Sequence, residues 1–142
     1  VVARFSPRED VYYTVNFSRV KASTKQPVWE ATFEATEDTM KRWGRPLSER
    51  YDIIPQGSQK QTHDILSTVC RVLIEFLKSH SGAIIHAEGR EESRMKLYPR
   101  MLKAKVEAAL PEYRYWSEWL GDEWLIPRSL SEVEILRMTR KV

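Results

Sequence analysis

Cysteine is nearly absent from this chain: Cys70 is the only one, so no internal disulfide can form. No Cys-x-x-Cys or His-x-x-x-His spacing exists either, and Cys70, His63 and His80 make no metal site. Glycine is scarce, with five in 142 residues. The one that precedes a helix, Gly89, lacks the second glycine and the Lys-Ser/Thr pair of a phosphate-cradling P-loop. Apolar runs of membrane-spanning length, leader-like segments, repeats and low-complexity tracts are all missing. Charge of one sign is not in large excess. The net charge of +3 is too small to require a nucleic-acid partner. These absences lead us to expect a chain of a reducing compartment, the cytoplasm or that of a phage-infected host, with no membrane partner, metal or small-molecule cofactor.

What is present reads as one α+β domain over residues 1–142. Hydrophobic residues at 42% and charged residues at 30% form an ordinary globular balance. A chain of this length can bury about two-thirds of its unfolded surface without a staple. Val11, Tyr13, Val15 and Phe17 alternate with Tyr12, Thr14, Asn16 and Ser18, which predicts a half-buried strand. Trp29, Ala31, Phe33 and Ala35 repeat the pattern on a second strand. Asp38 is placed to cap a helical turn that stops at Gly44, and Tyr51-Asp52-Ile53-Ile54 reads as a third strand.

Ile65, Leu66, Val69, Val72, Leu73, Phe76 and Leu77 recur at helical spacing and predict a helix over 60–79, ended near Gly82. Ala83 to Glu88 is a short central strand. A second helix is expected over 91–110, with a kink or a break at Pro99, whose ring clashes with the carbonyl of Met95. Glu112–Leu120 and Glu123–Ile126 read as a hairpin around Gly121-Asp122. Residues 129–142 are ambiguous. Ser131 and Glu134 suit a capping box, whereas alternation of Val133 and Ile135 against Leu136 and Met138 favours a last strand. On the strand reading the order is β-β-β-α-β-α-β-β-β, a mainly antiparallel sheet with both long helices on one face.

Three constellations carry chemistry. Between Ser93 and Val106 five cations, Arg94, Lys96, Arg100, Lys103 and Lys105, occur with no acid among them. A basic helix face of this kind can grip phosphates in a salt-dependent way, or it can simply be a solvated surface. Late in the chain Tyr113, Tyr115, Trp116, Trp119 and Trp124 cluster. Such rings can stack on unpaired bases, but exposed Trp and Tyr more often anchor protein interfaces. The contact residues expected are Trp116, Trp119 and Trp124. His86 and Glu88, two apart on a strand and followed by Arg94, could form an acid/base cluster, although no nucleophile stands beside them in sequence.

Thr62-His63-Asp64-Ile65-Leu66-Ser67-Thr68-Val69, Ala83-Ile84-Ile85-His86-Ala87-Glu88-Gly89 and Ser93-Arg94-Met95-Lys96-Leu97-Tyr98 together resemble an uncharacterised family of small bacterial proteins. That family pairs a Val-Leu-x-Thr-Val helix with a strand and a Gly-Ser-x-x-x-Arg-x-x-Leu-Tyr helix start, and similar Ser-Arg-x-x-Leu-Tyr segments look like ones in phage-encoded small proteins. Here Gly89 is followed by Arg90 in place of a serine. The resemblance covers residues 60–100 and implies an α+β fold with no activity to transfer. The sequence therefore leads to a non-enzymatic protein that docks onto another protein or a second copy of itself. A nucleic-acid binder using the basic helix is the alternative, and a small hydrolase or nuclease comes third.

Overall fold

A computed structural model describes residues 2–8, 11–20, 25–50, 59–88, 92–119 and 122–141. Strands β1 (Val2–Arg8), β2 (Val11–Val20) and β3 (Val28–Ala35) open the chain. Helix α1 (Glu37–Arg42), a 3₁₀ turn (Leu47–Glu49) and helix α2 (Gln59–Ser79) follow. Strand β4 (Ile84–Glu88), helix α3 (Glu92–Ala109), strands β5 (Tyr113–Trp119) and β6 (Asp122–Pro127), and helix α4 (Glu132–Lys141) complete it.

The six strands lie in the order β1-β2-β3-β4-β6-β5. Every neighbouring pair is antiparallel except β3/β4. A parallel pair cannot be closed by a tight turn, so β3 and β4 are joined by the long crossover that carries α1 and α2.

Alternation along the strands creates two different faces. One collects Tyr13, Val15, Phe17, Ala31, Phe33, Ile85, Leu125 and Tyr113. Onto it α2 sets Ile65, Leu66, Val69, Leu73, Phe76 and Leu77, and α3 sets Met101, Leu102 and Val106. Each such aliphatic or aromatic side chain, fully buried, contributes about 1.5–3 kcal/mol. The two long helices thus share one face, as their periodicity requires. The other face carries Val28, Ile84, Trp124 and Ile126, which Leu130 and Ile135 cover.

That second cover corrects the reading of the tail. Residues 132–141 are a helix, not a strand. Ser131 Oγ accepts the Glu134 amide at 3.2 Å and donates to Glu134 Oε1 at 3.2 Å, and the Ile135 amide reaches the Ser131 carbonyl at 3.0 Å. The cap decides the conformation, and the apparent alternation has no sheet to join. Two further differences concern strands. β1 is an additional edge strand, with its register shifted between Phe5 and Arg8 around Pro7. Proline donates no ladder bond and is tolerated there because the strand is at the edge. The third strand expected at Tyr51–Ile54 lies outside the described residues. Helix α3 runs unbroken through Pro99 instead of splitting in two. One bond to the Met95 carbonyl is forfeited, and burial of Met101, Leu102 and Val106 holds the second half in place.

The end of α1 is built around a glycine. The Gly44 amide donates to the Lys41 carbonyl at 3.1 Å and the Arg45 amide to the Met40 carbonyl at 3.2 Å, with Gly44 at φ +64°. This is a Schellman stop, and a side chain at that φ is strained. A Cβ there would meet no atom within 4 Å, so the strain is confined to the backbone. Gly44→Ala is therefore expected to lower stability by about 1 kcal/mol in denaturant titrations, with the fold unchanged.

Candidate protein interface

The β5/β6 hairpin is the element that gathers the late aromatics. Its register places Trp116 directly opposite Trp124, and β4 places His86 opposite Trp124 on the other side. Directly opposed residues share a face, so His86, Trp124 and Trp116 form one row across three strands. Trp124 is 1% exposed and stacks on His86 at 4.2 Å with 28° between the planes. Trp116 is half-buried and packs against the same cluster. The Arg114 guanidinium lies 5.8 Å from the Trp116 ring and donates to the Leu130 carbonyl at 3.4 Å. Among the described residues the indole N–H groups of Trp116 and Trp124 meet no hydrogen-bond acceptor.

The expected contact residues therefore separate. Trp124 belongs to the interior, where the row puts it under Leu130 and Ile135. Trp116 remains partly accessible, on a strand at the outer edge of the sheet. Trp119 lies on β5, but its side chain is outside the described residues. Alternation along β5 is not unbroken, because the register shifts between Ser117 and Trp119. Of the remaining tryptophans, Trp29 and Trp43 are half-buried against the α2/α3 core. Trp29 stands edge-on to Phe76 at 5.3 Å and to His80 at 5.7 Å.

Sequence reasoning passed over the apolar residues beside this row. Val133 is 59% exposed and Leu136 39% exposed, both on α4 and three residues apart. Ile135 between them is fully buried and pins the helix to the sheet. A capping signal at Ser131 followed by apolar residues at helical spacing on both sides of the helix was the available clue. Glu132 and Glu134 stand in the first turn of α4, and Arg137, Arg140 and Lys141 follow toward its end.

The basic helix divides as well. Arg100 and Lys103 are exposed, whereas Lys105 is half-buried and turned into the groove between α2 and α3. Two residues turn an α-helix by about 200°, so Lys103 and Lys105 occupy opposite flanks. The side chains of Arg94 and Lys96 lie outside the described residues. So do those of Glu88 and Arg94 in the acid/base cluster, while His86 is engaged in the stack on Trp124. Among the described residues no group of three metal-ligating side chains occurs, and Cys70 is fully buried in the core. No described helix is long and apolar enough to cross a membrane. One buried acid went unnoticed in the sequence. Glu123 is 1% exposed and lies in phase with the core residue Leu125, opposite Ala87 at the end of β4.

A known family model matches the chain over residues 5–132. The chain belongs to DUF6934, a family of unknown function. No curated protein and no solved structure matches the chain. The DUF6934 match ends where α4 begins, so the outer surface of α4 lies beyond the matched residues.

Proposed function

We propose that this DUF6934 chain is a non-enzymatic interaction protein that pairs with a second copy of itself through the outer face of α4 and the neighbouring edge strand β5. The observation that carries this reading is the exposed Val133/Leu136 pair on a helix whose two ends bear opposite charge. In a two-fold arrangement each surface meets its own copy. Two antiparallel α4 helices would bury Val133 and Leu136 against each other. The acidic first turn of one would then face Arg137 and the basic end of the other. Half-buried Trp116 and Arg114 supply the kind of side chains that anchor interface centres. The likeness of Ser93–Tyr98 to phage-encoded segments supports a phage or mobile-element setting for the assembly, and we propose that it acts in the cytoplasm.

Light scattering behind size exclusion tests this. The natural chain is expected at twice the monomer mass, and Val133→Glu/Leu136→Glu at the monomer mass with unchanged helix content. Both positions are on the solvent side of α4, so the paired acids add repulsion across the two-fold without entering the core. A natural chain that stays monomeric at high concentration, or a variant that stays dimeric, would refute the reading.

A further inference from the structure

The two long helices do not close completely on each other. Between them runs a groove of about 710 Å³, within the size range of small-molecule sites. Its floor on the α3 side is Ala108 and Ala109, both exposed. The α2 side contributes Ile74, which is buried, as an apolar wall.

Charge in the groove is unevenly matched. Glu75 is paired with Lys78 at 3.3 Å, and Asp64 lies 3.9 Å from the His63 ring. Arg71 from α2 and Lys105 from α3 also line the groove, and neither is in an ion pair among the described residues. Lys105 is half-buried, and its side chain lines the groove from the α3 side with no carboxylate paired to it among the described residues. Thr68 spends its hydroxyl on the Asp64 carbonyl at 2.9 Å. An ammonium and a guanidinium beside small apolar residues suit one ligand chemistry: an acid group joined to an apolar body.

We infer that the α2–α3 groove binds a small organic anion, its acid group held by Arg71 and Lys105 and its apolar part seated on Ile74, Ala108 and Ala109. The site lies on the face of the sheet opposite α4 and stands independently of the assembly surface.

The test uses the full chain and the fluorescent probe 8-anilinonaphthalene-1-sulfonate, which joins a sulfonate to a naphthalene and a phenyl ring. One saturable site is expected, with hexanoate displacing the probe better than inorganic phosphate does. Arg71→Gln/Lys105→Gln should weaken the probe by about tenfold or more, the loss of charge-assisted hydrogen bonds. Ala108→Leu, which fills the floor without touching charge, should weaken it as well. Val133→Glu/Leu136→Glu should leave it unchanged. Melting curves of the first two variants are expected to match the natural chain, since the substituted residues are exposed or half-buried. Any of three results overturns the inference: no saturable binding, undiminished binding in either groove variant, or binding lost with the α4 substitutions.

Discussion

Replacing Trp124 with alanine is expected to remove about 3–5 kcal/mol of stability, the range for truncating a large buried aromatic. The indole is 1% exposed and is held on several sides at once. His86 stacks on one face at 4.2 Å, and Val28, Ile84, Ile126, Leu130 and Ile135 complete the cluster. A strand backbone cannot collapse into the void, because β6 is hydrogen-bonded to β4 on one side and β5 on the other. The same truncation at half-buried Trp116 should lower stability by no more than about 2 kcal/mol, because less area is withdrawn from water. Denaturant titrations at one fixed protein concentration compare the two, since self-association would otherwise contribute. Equal losses at both positions would mean that the hairpin does not divide its tryptophans between interior and surface.

Tyr113 gives the second large effect, and most of it appears at alkaline pH. Its phenol donates to the Ala83 carbonyl, just ahead of β4, at 2.7 Å and is buried. Burial pushes the phenol up to about 12 from its ordinary 10.0, with a backbone hydrogen bond at Gly82 opposing and the Glu112 charge adding to the rise. The folded state therefore favours the neutral phenol more than the unfolded chain does. That stabilisation is fully present below pH 10 and is lost as the pH rises through 10 toward 12. Two units of displacement correspond to at most about 3 kcal/mol. Tyr113→Phe is expected to lose about 1 kcal/mol at neutral pH, the net value of one hydrogen bond. Above pH 10 its stability should fall less steeply than that of the natural chain, so the two curves meet and then cross before pH 12. Parallel curves from pH 9 to 12 would show that the phenol ionises as freely in the fold as outside it.

Long, regular elements were legible in the amino acids. The apolar stripe of α2 and the alternation of β2 and β3 each repeat several times, so the periodicity specified both the element and the buried side. β1 was not legible because Pro7 and its two arginines interrupt any pattern, and its strand character comes from pairing with β2. In α4 a single residue, Ile135, is fully buried among those described, which leaves too little periodicity to outweigh a chance alternation. The Ser131 cap was the better guide, since it satisfies donors whatever the tail packs against.

The candidate surface was legible in part for a related reason. Aromatic content located the hairpin. Which tryptophan is hidden depends on whether another element covers it, and the cover over Trp124 is the helix that the pattern had concealed. The basic helix shows the same limit. Five cations in a row of sequence look like one patch, but the turn of the helix and the proximity of α2 send Lys105 one way and Lys103 another.

Hydrogen exchange followed as a function of protein concentration probes the proposed contact most directly. As the chain is concentrated, protection is predicted to grow along α4 and along the outer edge of β5, with α2, α3 and β1 unaffected. Constant exchange in α4 and β5 across the concentration range, or new protection confined to the α2–α3 side, would contradict assembly through this surface.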